Sequence, residues 1–161
     1  MRDARRKPIV SIRATAIRML ARREYARAEL TERLTRRGAD ATEATRVLDE
    51  LEQLGYLSDA RFAQMVVTQK AGRYGKRAIA HALTQRRVAP PAAQTALDTL
   101  KSVDEVADAS ALWERRFGSP PRDERERARQ IRFLMARGYS LSIALKVVGR
   151  PGAAANADAD N

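Results

Sequence analysis

Few side chains in this sequence belong to types that make or break bonds. There is a single histidine, His81, and no cysteine, which leaves no thiolate ligands and no Cys/His nucleophile pair. His81 falls on a predicted helix and reads as a surface or packing residue. The clustered carboxylates Asp49, Glu50 and Glu52, like Asp123, Glu124 and Glu126, are interleaved with basic residues at spacings that read as solvated helix faces. No glycine-rich phosphate loop of either common pattern occurs. The sequence therefore predicts no catalytic residue, no bound cofactor and no metal site.

The chemistry that remains is recognition by charge. Thirty-one Lys and Arg residues stand against 20 Asp and Glu, a formal charge of +11 and a pI near 10.9. A surplus of that size attracts polyanions such as nucleic acid or an acidic protein face. Residues 1–55 hold 13 basic and 9 acidic side chains, 56–100 hold 7 and 2, and 101–161 hold 11 and 9. The middle third thus has the largest excess per residue. Within it Lys70, Arg73, Lys76, Arg77, Arg86 and Arg87 surround Tyr74, with no acidic residue between Asp59 and Asp98. Basic residues interleaved with an aromatic suit phosphate, base or acidic-groove contacts. Tyr74 is a candidate aromatic contact, although the matching position of Tyr25 favours a packing role. A second basic stripe, Arg122, Arg125, Arg129 and Arg132, lies along a later predicted helix. Phe133 points near that stripe and is expected to be covered by a neighbouring repeat.

These residues need elements to hold them, and the sequence supplies the elements as a repeat. Leu30, Leu34, Thr35, Arg37, Ala44, Leu48, Asp49 and Leu51 recur 49 residues later as Ile79, Leu83, Thr84, Arg86, Ala93, Leu97, Asp98 and Leu100. A fainter third copy pairs Leu34, Arg37, Gly38, Ala44 and Val47 with Leu134, Arg137, Gly138, Ala144 and Val147. Apolar positions recur at helical spacing within each copy. Asp40 with Glu43 and Ser102 with Glu105 read as capping boxes, Pro90 or Pro91 opens a helix, and Gly38 and Gly55 close helices. Another helix is predicted from about Arg122 to Arg137, and a short one from Ser140 to Val148. Strand signals are nearly absent. The expected fold is all-α: a basic arm over 1–10, three-helix repeats over 11–55, 56–100 and 101–149, and a disordered tail over 150–161. No apolar run approaches the roughly 20 residues of a membrane span, so a cytoplasmic protein without membrane contact is expected.

Several stretches also carry a family likeness. Ala21 to Leu30, Val47 to Leu51, Gly55-Tyr56-Leu57-Ser58-Asp59-Ala60-Arg61-Phe62-Ala63, and Arg132-Phe133-Leu134 followed by Arg137-Gly138-Tyr139-Ser140 together resemble the RecX family of bacterial recombinase regulators. The likeness covers roughly residues 11–149. It implies three tandem three-helix repeats in an elongated, curved array that is not an enzyme. It also implies the RecA recombinase filament as partner, with limited filament assembly and damped strand exchange and coprotease activity as the outcome. Single-stranded DNA is implied as a partner directly or through the filament, and a monomer is expected. On this basis Arg73, Lys76, Arg77, Arg86 and Arg87 are the expected centre of the contact surface, with Arg22, Arg23 and Arg27 their first-repeat counterparts.

Two positions depart from the family pattern. Ala26 stands where a capping serine is usual, so the following helix is expected to be less well capped. Arg87 stands where a glycine is usual, so that helix end is expected to adopt another geometry. The alternative function is a stand-alone nucleic-acid binder of tandem helix-turn-helix type. No helix, however, shows an evident face of base-reading residues.

Overall fold

The computed structural model describes residues 11–100 and 103–149. The expected basic arm, Ser102 and the expected tail lie outside the described residues. Among those described, the secondary structure is nine α-helices and no strand: α1 (Ile12–Leu20), α2 (Arg27–Thr35), α3 (Ala41–Gln53), α4 (Asp59–Lys70), α5 (Lys76–Gln85), α6 (Pro90–Asp98), α7 (Glu105–Arg116), α8 (Glu124–Ala136) and α9 (Leu141–Val148).

Consecutive triplets form three repeats, each around its own core. Leu30, Leu34, Val47, Leu48 and Leu51 fill the first, and Phe62, Val66, Val67, Ile79, Leu83 and Leu97 the second. Leu112, Leu134, Tyr139, Ala144 and Val148 fill the third. The leucines that recur in sequence are withdrawn from water: Leu34, Leu83 and Leu134 are all fully buried. Each such side chain contributes on the order of 1.5–3 kcal/mol.

Helix starts follow local chemistry. Ser11, Asp40, Ser58, Asp123 and Ser140 each accept a backbone N–H of the turn they precede. Pro90 and Pro91 occupy the first turn of α6, where missing N–H groups cost nothing. The opening of α7 differs from expectation. Its cap is Asp104, which accepts from Val106 (3.0 Å) and Ala107 (3.1 Å), while Glu105 is drawn away to another repeat.

Helix ends bring a second correction. In the three middle helices the N–H of a buried residue returns to a leucine carbonyl five positions earlier: Ala39 to Leu34 (3.1 Å), Val88 to Leu83 (3.2 Å) and Tyr139 to Leu134 (3.2 Å). The residue before each of these takes a positive φ: 92° at Gly38, 91° at Gly138 and 54° at Arg87. Arg87 therefore adopts the same left-handed termination as its glycine counterparts rather than another geometry. The arginine bears a steric cost there that glycine avoids. Phe133 is a third correction. It is half-buried, and the contact that covers it comes from Phe117 of its own repeat, edge-on with ring centroids 5.3 Å apart.

The repeats are joined by polar contacts made across their boundaries. Ala26, which precedes α2, gives no side-chain cap, as expected, and neither does Gly75 before α5. Each vacancy is filled by an acidic residue at the first position of the next repeat. Asp59 Oδ1 accepts from Arg27 N–H (2.8 Å), and Glu105 Oε1 accepts from Lys76 N–H (3.0 Å). The second oxygen of Asp59 accepts from Ala89 N–H (2.9 Å), so one carboxylate serves two helix starts. At the second joint Gly75 donates to Arg137 carbonyl (2.8 Å), and a Cβ on Gly75 would lie 2.5 Å from the Gly138 carbonyl carbon. Only glycine permits that approach.

Candidate interaction surface

Helix α5 is the axis of the basic face. Arg73 and Tyr74 precede it, Lys76 and Arg77 open it, and Arg86 and Arg87 follow its last turn. Ten residues at 1.5 Å rise separate the two groups by about 15 Å.

At the end nearer the third repeat, Tyr74 is half-buried between two cations. Lys70 Nζ stands 4.4 Å and the Arg137 guanidinium 5.3 Å from its ring centroid. Arg73 and Arg77 are exposed and form no ion pair with a described residue. Lys76 is half-buried and lines a small cavity with Tyr74, Glu105, Asp108 and Tyr139.

The other end abuts the first repeat. Arg86 is exposed, with its guanidinium 5.7 Å from the Phe62 ring centroid and no carboxylate partner among the described residues. Arg87 instead reaches Glu32 of the first repeat at 3.0 Å. Beside it Arg23 lies 3.6 Å over Tyr25 and pairs with Glu29 at 2.7 Å. Arg33 also bonds Glu29, at 3.0 Å. Burial alone would raise the Glu29 pKa, but hydrogen bonds and attraction from Arg23 and Arg33 outweigh it and hold the carboxyl below its usual range. Arg27 is taken up by two carboxylates, Asp49 and Glu52, each at 2.6 Å. Arg22 is exposed and makes no ion pair with a described residue.

The eight sequence-selected cations thus divide by what surrounds them. Arg22, Arg73, Arg77 and Arg86 carry charge that nearby carboxylates leave unneutralised. Arg23, Arg27 and Arg87 are matched by acidic partners, and Lys76 is partly withdrawn into the joint. Among the described residues no group of three His, Cys, Asp or Glu side chains is placed to hold a metal ion, and no helix is long and apolar enough to cross a membrane.

Comparison with known proteins converges on one family. The family models for the first, second and third three-helix domains of RecX match residues 13–51, 58–97 and 104–148. The chain belongs to the RecX family. The Regulatory protein RecX of Leptothrix cholodnii is 41% identical over 145 residues, covering 90% of this chain and 92% of the relative. That of Ralstonia pickettii is 39% identical over 143 residues, covering 89% of each. The crystal structure of RecX from Lactobacillus salivarius superposes with a TM-score of 0.72 at 17% identity, over 85% of this chain and 92% of that one. That structural likeness establishes the RecX fold. RecX is a family of regulatory proteins and not of enzymes.

Several residues that shape this RecX surface were not given that role from the sequence. Asp59 and Glu105 bond helix starts of the preceding repeats, Glu32 neutralises Arg87, and Arg137 stacks on Tyr74 from the next repeat. One signal for the first two was available. Two helix starts 49 residues apart lack a capping side chain, and two acidic residues 46 residues apart open the following repeats.

Proposed function

We propose that this RecX protein acts in the cytoplasm as a monomer that binds the RecA recombinase filament, limits its assembly on single-stranded DNA and so damps its recombinase and coprotease activities. The supporting observation is the acid-free stretch of the middle repeat between Asp59 and Asp98, where Arg73, Arg77 and Arg86 are exposed and lack carboxylate partners among the described residues. Such guanidiniums retain their full capacity for bidentate pairing with carboxylate or phosphate, the two groups that a protein filament on DNA displays. Arg22 extends the surface on the first repeat. Arg23, Arg27 and Arg87 contribute only where the partner displaces Glu29, Asp49, Glu52 or Glu32, and Tyr74, half-buried with Lys70 and Arg137 near its ring, is the candidate aromatic contact.

The test is a titration of the protein into RecA-coated single-stranded DNA, following ATP hydrolysis. The parent is expected to suppress hydrolysis, and Arg77→Glu with Arg86→Glu to abolish suppression with helicity intact. Undiminished suppression by the double variant removes these arginines from the contact. No suppression by the parent at a stoichiometric ratio or above overturns the recombinase reading itself.

A further inference from the structure

The third repeat carries its own basic stripe, on α8 and the residues that open it. Arg122, Arg125, Arg129 and Arg132 line an open groove of about 510 Å³ together with Asp123 and Glu126. Four guanidiniums therefore face two carboxylates, and both carboxylates are already engaged by the backbone. Asp123 caps α8 through Glu126 N–H (2.7 Å), and Glu126 accepts from Arg122 N–H (2.9 Å). Glu126 also lies 3.6 Å from the Arg122 guanidinium and 3.7 Å from that of Arg129. Arg129 is further steadied 5.8 Å from the Phe117 ring centroid. Arg125 and Arg132 are exposed and have no carboxylate partner among the described residues.

We propose that this groove binds the phosphate backbone of nucleic acid, as a contact separate from the α5 surface. Two features select a phosphate chain over an acidic protein. The lining is entirely charged, whereas a protein interface has an apolar centre shielded from water; the exposed apolar residues Leu54, Tyr56, Met135, Leu141 and Leu145 do not line it. The cations are also strung along one direction. Arg125 and Arg132 are seven residues apart on α8, about 10.5 Å along the axis. That separation lets the two guanidiniums meet different phosphates of one strand, whose charges repeat along the chain. Arg129 stands between them, and its fork matches a phosphate in geometry.

This contact does not depend on the recombinase reading and is tested without recombinase. A dye-labelled oligothymidylate is titrated with the full chain, with Arg125→Gln plus Arg132→Gln, and with Arg77→Gln plus Arg86→Gln, at several salt concentrations. The α8 variant is expected to bind about tenfold more weakly at 0.1 M salt. Its log–log salt dependence should be shallower by about 1.4, since each single-strand phosphate contact contributes about 0.7. These losses should come without change in helicity. Affinity and salt slope equal to the parent's overturn the proposal. So does a variant that loses binding to oligoglutamate while holding the oligonucleotide as tightly as the parent, because the groove then serves an acidic protein. A loss in the α5 variant alone also overturns it.

Discussion

Asp59 is the residue on which the joint between the first two repeats turns, and its removal has a calculable cost. Asp59→Ala deletes both carboxylate oxygens, leaving Arg27 N–H at the start of α2 and Ala89 N–H at the start of α6 without their acceptors. Loss of a helix cap costs about 0.5–2 kcal/mol, and a hydrogen bond to a charged group contributes about 1.5–3 kcal/mol. Two such bonds on one half-buried carboxylate place the expected loss at about 2–4 kcal/mol. In a chain of this size that corresponds to a fall in Tm of about 5–15 °C. Asp59→Asn keeps one acceptor but turns an NH2 donor toward the second N–H, so at least half the loss should persist. Urea and thermal melts followed by circular dichroism give the magnitude, and amide hydrogen exchange gives its location. Arg27 and Ala89 should lose protection, while amides of α8 and α9 should not. A cost for Asp59→Ala below about 0.5 kcal/mol, the scale of an ordinary surface substitution, with Arg27 and Ala89 protection unchanged, would refute the cross-repeat capping.

Three further outcomes follow from the same structure. Glu29 has a depressed folded-state pKa, so its contribution is present above the unfolded value of about 4.3 and disappears as pH falls through the folded value; acid melts of the parent should lose stability below about pH 4 more steeply than those of Glu29→Gln. Tyr139 behaves oppositely. Its buried hydroxyl has no hydrogen-bond partner among the described residues, and burial, with Asp108 and Glu105 nearby, pushes its pKa up to about 12. Stability should then decline between about pH 10 and 12 by up to about 2–3 kcal/mol, and Tyr139→Phe should remove that decline at little or no cost at neutral pH. Gly75→Ala would force a methyl group to 2.5 Å from the Gly138 carbonyl carbon and oxygen, both backbone atoms, so the second joint must open. Solution scattering should show a changed particle shape, while the helical signal is largely retained.

Much of this architecture was legible from residue order because helices are local. Leu30, Leu34 and Leu48 recur as Ile79, Leu83 and Leu97, and the same positions are the buried ones. Asp40, Ser58 and Ser140 cap helices through bonds within three residues. Where the reading failed, the deciding partner lay elsewhere. Ser102 looked like a cap by spacing but lies outside the described residues; the cap of α7 is Asp104, and Glu105 bonds Lys76, 29 residues earlier. Arg87 looked incompatible with a glycine-type helix end. The bond from Val88 to the Leu83 carbonyl and the burial of both side chains hold it there regardless.

The sequence by itself determined an all-helical array of three repeats, the residues of each core, and an excess of positive charge centred on the middle repeat. These depend on periodicity and composition, which act over a few residues at a time. Only the tertiary structure decided which cations remain free. Arg27 is neutralised by carboxylates 22 and 25 residues away and Arg87 by one 55 residues away, whereas Arg77 and Arg86 meet none among the described residues. Electrostatic pairing is set by separation in space, and separation in space is set by how the repeats pack and by the two carboxylates, Asp59 and Glu105, that join them.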